Sequence, residues 1–348
     1  MTIYITWKRV LAALLAVLLA SLCLAWSGLF PVAASSGHWA VTDWFLHWTM
    51  RNSVRTYAAL GPSPVMPAEK GLVSAAGHYR QACQVCHGAP GIAPSPVMQK
   101  ATPPAPDLAK LGDKWSDRQL AWIIQHGVKM TGMPAWGAPD RPDEVGRMVA
   151  FVRRMPGMTA SEYRTLTEDA SVPSLSAVRP AVLAACTGCH GTDGRGRGQA
   201  DIPVLGGQNP AYLRAALMDY AAGRRHSAVM QTAVTGLTSR QMAALARHFA
   251  ALPGLAASPA QSTNRLVMRG APDRQLPACI SCHAPGKPHP VLRGQKPAYV
   301  AARLRRWRGD ETIIDARKSP ETMAMIARRI PEDQIDAVAR AVSAPPVR

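Results

Sequence analysis

One pentapeptide occurs three times: Cys83-Gln84-Val85-Cys86-His87, Cys186-Thr187-Gly188-Cys189-His190 and Cys279-Ile280-Ser281-Cys282-His283. Two thiols three positions apart can add across the two vinyl groups of one haem, and the adjacent His then falls under the iron as its proximal ligand. Each copy therefore reads as a covalent haem c site, three per chain, held by Cys83, Cys86 and His87, by Cys186, Cys189 and His190, and by Cys279, Cys282 and His283. Zinc sites and dithiol redox centres also use CxxC. Three CxxCH copies, each in its own stretch of about 90 residues, favour haem.

An iron held by His needs a sixth ligand if it is to carry electrons without binding small molecules, and Met thioether raises its potential. With 15 Met in the chain, position has to decide. Thr131-Gly132-Met133-Pro134-Ala135-Trp136 stands 46 residues after His87, and its Gly-Met-Pro context resembles the Met loop of class I cytochromes c. Met133 is the first distal candidate, with Met130 and His126 as rivals. Met230 follows His190 by 40 residues and Met323 follows His283 by the same 40, with Met325 as the rival at the third site. The expected iron ligands are His87 with Met133, His190 with Met230, and His283 with Met323. His78, His126, His226, His248 and His289 have no CxxC partner and read as surface or ordinary hydrogen-bonding residues, with a bis-His haem through His226 or His289 as the alternative.

The second and third stretches repeat each other. Pro203-Val204-Leu205-Gly206-Gly207-Gln208-Asn209-Pro210-Ala211-Tyr212 is matched by Pro290-Val291-Leu292-Arg293-Gly294-Gln295-Lys296-Pro297-Ala298-Tyr299. The pentapeptides lie 93 apart but these segments only 87 apart, so the third haem loop is six residues shorter and lacks the run from Gly191 to Gly198. Six extra residues between Tyr299 and Met323 restore the Met spacing. Such self-similarity means one fold and a duplication. The Gly-rich run follows a CxxCH directly, with no strand before it, so it reads as backbone turning beside the haem and not as a phosphate loop.

These residues carry a resemblance. The second and third units look like the tandem dihaem class I cytochromes of the c4 type, which carry in each half a CxxCH, a P-x-L-x-G-Q segment with a following aromatic, and a distal Met; Pro277-Ala278-Cys279 also fits. The first unit resembles a single-haem class I domain, with Ala75 and Tyr79 placed as on the first helix of that family and Phe151 on the expected partner helix, Pro142 to Met155. Trp115 to His126 reads as a helix, and Pro103, Pro104 and Pro106 as a haem-wrapping loop. Val182 and Gln275 stand where the first unit has Tyr79, so the later first helices are expected to be shorter or packed differently. The resemblance implies an all-α fold: three tandem class I cytochrome c haem domains on an N-terminal transmembrane helix.

The elements that must position these sites follow from the pattern of apolar residues. Lys8-Arg9 precede an apolar run from Val10 to Phe30, 21 residues without a charge, long enough to span a bilayer. The basic flank keeps the N-terminus in the cytoplasm and sends the remainder across. Residues 1–34 are therefore read as an uncleaved anchor, a cleavage site after Ala34 being the alternative, and Cys23 as a membrane-buried thiol. In 35–66, Val41, Trp44, Phe45 and Trp48 share one helical face followed by Arg51 and Arg55, which suits a helix at the membrane interface, or one packed on the first haem domain or on a partner. Gly61-Pro62-Ser63-Pro64 and Pro67 end it. The haem domains are expected at 67–160, 177–258 and 259–348, with a linker at 161–176 and a second at Ser258–Asn264.

The formal charge is +18, which six haem propionates lower to roughly +12. That favours acidic redox partners or anionic headgroups. Nucleic acid is discounted, because a chain exported for haem attachment does not meet it. With every iron six-coordinate no catalysis is expected. The reading is a trihaem cytochrome in the inner membrane, its haem domains periplasmic, relaying electrons in a respiratory chain towards a terminal oxidase. The alternative is the cytochrome subunit of a periplasmic alcohol or sugar dehydrogenase complex. A gas sensor or enzyme with a lost distal ligand is the third reading.

Overall fold

Proline and capping residues decide where most helices begin. The computed structural model describes residues 6–64, 72–110, 112, 114–169, 175, 177–256, 262–284, 286–309 and 321–344. Among these the backbone forms helices and three isolated two-residue bridges, Ala89–Ile92, Leu175–Val178 and Ala271–Leu276. The residues expected to start the first haem domain, 67–71, lie outside the described residues, as do most of the second expected linker and part of the first.

Helix α1, Trp7–Trp26, has 20 residues. At 1.5 Å per residue it is about 30 Å long, the thickness of a bilayer's hydrocarbon core. It is long and apolar enough to cross a membrane, and none of it is buried by the rest of the chain. The helix stops at Ser27 and Gly28, short of the end of the apolar run, and Cys23 is exposed on it.

Helix α2, Ala40–Leu60, serves two surroundings. Its first half leaves Trp44, Phe45 and Trp48 exposed, with the two indoles stacked at 6.1 Å. Its second half buries Val54 and Ala58 and stacks Tyr57 on Trp122 at 6.0 Å. The second half therefore packs on the first unit, as one of the sequence readings has it, while the first half keeps an exposed aromatic face.

The first unit begins with α3, Leu72–His78, which runs through a π-helical turn, Tyr79–Cys83, into α4, Gln84–His87. Helix α5, Asp117–His126, starts from a capping box in which Ser116 and Gln119 satisfy each other's backbone N–H groups. Helix α6, Pro142–Arg154, opens on the Pro favoured at the first helical position. Tyr79 of the π turn meets Phe151 of α6 with ring centroids 5.3 Å apart, and both are fully buried. That contact joins the first and last helices of the unit. Helix α7, Ala160–Thr167, occupies the first part of the segment expected as a linker. It has no long apolar period, but Thr159 and Glu162 form a capping box and Tyr163 packs on Phe151 while donating to Gln84 Oε1 at 2.6 Å.

The second unit comprises α8, Pro180–His190, α9, Pro210–Ala221, α10, Ala228–Val234, and α11, Ser239–Ala251. The third comprises α12, Arg265–Met268, α13, Cys279–Cys282, α14, Pro297–Arg308, α15, Glu321–Arg329, and α16, Ile335–Ser343. The expected shortening is most pronounced here, where α12 ends before the bridge at Ala271–Leu276 and Gln275 takes a left-handed conformation. Three clusters of buried apolar side chains result, centred on Tyr79 and Phe151, on Leu183 and Phe249, and on Val267 and Ile335.

The repeated segments meet each other. Gln208 donates to Val291 O at 3.0 Å and accepts from Val291 N at 2.8 Å, while Gln295 donates to Val204 O at 3.1 Å and accepts from Val204 N at 2.9 Å. Each unit thus satisfies the backbone N–H and C=O of one valine of the other in a reciprocal exchange.

Candidate functional site

Each pentapeptide lies on a helix, so its two Cys side chains, three positions apart, share a face. In the first unit the motif spans the π turn and α4, in the second it ends α8, and in the third its first four residues form α13 with His283 as the C-cap. Gly88, at φ 66, ends the first helix directly after His87. A Cβ there would come within 2.8 Å of Ile92 O and Pro94 Cδ, so the turn that folds the following loop back needs Gly. Tyr79 Oη donates to Gly88 O at 2.6 Å and ties this turn to the core.

The imidazoles are held by one side only. His87 Nδ1 lies 2.9 Å from Pro106 O, and His283 Nδ1 lies 2.9 Å from Pro290 O. A carbonyl can only accept, so Nδ1 carries the hydrogen and Nε2 keeps its lone pair for a metal. Burial disfavours the charged form and lowers both pKa values, against the Pro carbonyls that raise them. His190 is the most buried of the three, and burial lowers its pKa to about 4. The Pro203 carbonyl acts on that ring as well, but Nδ1 lacks hydrogen-bond geometry to any partner. The three Pro residues follow their His by 19, 13 and 7 residues, so one contact is kept while the intervening loop shortens by six each time.

The thiols suit thioether attachment better than the rival chemistries. Burial, reinforced by the neighbouring thiol, raises Cys83 and Cys186 to about 12 and Cys279 to about 11. Burial also raises Cys189 to about 11, with Arg197 opposing and Asp201 assisting. A dithiol redox centre works through a lowered thiol pKa. Among the described residues no three His, Cys, Asp or Glu side chains converge to hold a metal ion, as a tetrahedral zinc site would require. Paired thiols beside a neutral imidazole with a free Nε2 fit a covalent haem.

The methionines differ in setting. Met133 is half-buried in a closed loop: Val128 N donates to Met133 O at 3.2 Å, Thr131 Oγ1 accepts from Met133 N at 3.1 Å, and Trp136 N donates to Gln125 O at 3.0 Å. Its rival Met130 is 84% exposed with φ 58. Met230 is half-buried in the first turn of α10, its N–H bonded to the cap Ser227 Oγ at 3.2 Å. Met323 packs against the third core.

Several side chains stand where the sequence does not point. His78 is buried, its ring 4.7 Å from Trp136 and its Nδ1 without a partner, where a surface or hydrogen-bonded role was expected. A His on a short helix carries no signal of what will cover it. His226 is largely exposed and its Nδ1 pairs with Asp140 at 3.1 Å. The Gly-rich loop receives a cation: Lys296 Nζ donates to Gln199 O at 2.6 Å, Ile202 O at 2.8 Å and Gly196 O at 3.3 Å. Carbonyls aimed at an ammonium are the reverse of a phosphate cradle.

The first and second units are locked together at the second motif. A Cβ on Gly77 of α3 would come within 2.6 Å of Cys189 Sγ, and one on Gly188 within 2.7 Å of Thr167 O at the end of α7. Arg197 Nη1 bridges Gly188 O at 2.6 Å and Leu166 O at 3.0 Å.

Comparison with known proteins adds the following. The family described as cytochrome C oxidase, cbb3-type, subunit III matches residues 70–152. A thiosulfate dehydrogenase electron acceptor of Stutzerimonas stutzeri (strain A1501) is 34% identical over 172 residues, 46% of this chain and 78% of the relative. A cytochrome c4 of Pseudomonas aeruginosa is 30% identical over 185 residues, 50% of this chain and 90% of the relative. The crystal structure of reduced cytochrome c4 from Pseudomonas stutzeri aligns at 27% identity over 47% of this chain and 94% of that one, with a TM-score of 0.39.

Proposed function

The chain belongs to the class I c-type cytochromes of the dihaem, c4-like kind, which carry covalent haem c and transfer electrons, and from that premise we propose that it is a membrane-anchored trihaem relay. The observation that carries the haem count is the repeated pairing of a helical CxxC with an imidazole whose Nδ1 faces a Pro carbonyl, in all three units by sequence and with hydrogen-bond geometry in two. The proposed iron ligands are His87 and Met133, His190 and Met230, and His283 and Met323. Each bound haem supplies an iron that takes up and releases one electron. The chain's own residues keep the imidazoles neutral, exclude water and hold the units in fixed contact.

Electrons enter and leave through the first and third units in this reading. Val85, between the first two Cys, is 53% exposed, and its counterpart Ser281 in the third unit is also exposed, whereas Gly188 is buried. The second unit is the inner stage. Helix α1 tethers the chain, and the net charge of +18 draws it to acidic partners. The electron acceptor is a terminal oxidase. On the donor side, the relatives named as thiosulfate dehydrogenase electron acceptors favour a dehydrogenase, with thiosulfate in place of the alcohol or sugar of the alternative reading.

Two measurements test this. Intact-mass analysis of the full chain should show three haem additions, and two would remove one site. The reduced full-length protein in membranes from its source should be oxidised in a cyanide-sensitive way. Reduction by thiosulfate and its dehydrogenase, without cyanide-sensitive reoxidation, would confine the protein to the dehydrogenase complex.

A further inference from the structure

Glu144, in the first turn of α6, is 4% exposed, and its carboxylate gathers donors from two units. From the first unit, Trp136 Nε1 donates to Oε2 at 3.3 Å and Arg141 Nη1 approaches Oε1 at 2.7 Å. From the second unit, Ser227 Oγ donates to Oε1 at 2.6 Å and Ala228 N to Oε2 at 2.9 Å. An acid in a first turn ordinarily serves its own helix. Here it caps α10, a helix of another unit.

Both ends of this knot lead to methionines. Trp136 lies three residues after Met133 in the closed loop, and Ser227 Oγ accepts the N–H of Met230. A continuous chain of hydrogen bonds therefore runs from the Trp136 indole through the Glu144 carboxylate and the Ser227 hydroxyl to the Met230 backbone. We propose that Glu144 is a positioning residue that holds both methionine-bearing segments through separate donors, so that loss of its carboxylate disturbs distal ligation in the first and second units together. The proposal rests on Met133 and Met230 being distal ligands.

The test uses the full-length holoprotein, reading the methyl resonance of each iron-bound methionine in the reduced state and the potential of each haem. Glu144→Gln keeps the side-chain shape but leaves one acceptor oxygen for four donors. It should weaken or abolish two methionine resonances together and shift two potentials, leaving those of the third unit in place. Trp136→Phe should disturb only the first unit's resonance and Ser227→Ala only the second's, and these single-arm variants carry the test if Glu144→Gln does not fold. A Glu144→Gln protein with all resonances and potentials as in the parent, or with all three haems changed alike, would overturn the coupling. Met133→Ala or Met230→Ala proteins that keep every resonance would instead show that the ligand assignment beneath it is wrong.

Discussion

The first and second CxxCH motifs are nearly the same peptide in opposite surroundings. Around the first, Val85 faces solvent, and Ser95 N donates to Val85 O at 3.0 Å from a loop that leaves the side chain open. Around the second, α3 presses Gly77 against Cys189 and α7 closes over Gly188. The positions between the cysteines are free of chemistry, so neighbouring units decide their exposure. The same attachment site can thus serve as a terminus or as an interior stage of a relay.

This contrast can be broken at matched positions. The largest effect is expected for Gly188→Val, which forces a side chain into the α7 backbone and should cost about 1–3 kcal/mol by overpacking. The matched Ser281→Val, at an exposed position, should stay within about 0.5 kcal/mol of the parent. Denaturant unfolding of the two holoproteins makes the comparison, and equal losses would mean that the second motif is not covered by the first unit.

A pH effect comes next. Burial lowers the His78 pKa to about 4, whereas in the unfolded chain the ring titrates near about 6.5. The unfolded chain therefore binds more protons between these values, so the contribution of His78 is fully present above about pH 6.5 and is lost as the pH falls towards about 4. The slope is at most about 1.4 kcal/mol per pH unit. His78→Leu should flatten that part of the stability–pH curve, and an unchanged slope would show that other groups set it.

The smallest effect on stability concerns the open edge. Val85→Asp should leave the fold within about 0.5 kcal/mol of the parent while slowing electron exchange with an acidic partner through like-charge repulsion. Stopped-flow exchange at low and high salt checks this, and the same rate as the parent at low salt would move the docking site elsewhere.

What the chain discloses about itself follows the range of its interactions. Tyr79 and Phe151 are legible because they stand where the class I cytochromes c that the first unit resembles cross their first and last helices, and the all-α class follows from the same resemblance. Helix α7 buries only Tyr163 and Thr167, too few for an apolar period, so its sequence reads as a linker. The Thr159 and Glu162 capping box was the available signal. Glu144 looks like any acid at a helix start, since its partners Ser227 and Ala228 come from 83 and 84 residues away. Nothing local could reveal them.

The Gln208 and Gln295 exchange is symmetric, and on its own would serve equally well to join two copies of the second unit from different chains. Lys296 removes that ambiguity. Its ammonium fits the carbonyls at Gly196, Gln199 and Ile202; the third unit has no such loop to offer in return, and the second unit has Asn209 in place of the lysine. The pairing has a lock on one side and its key on the other, so a second unit takes a third unit as its partner in preference to a copy of itself.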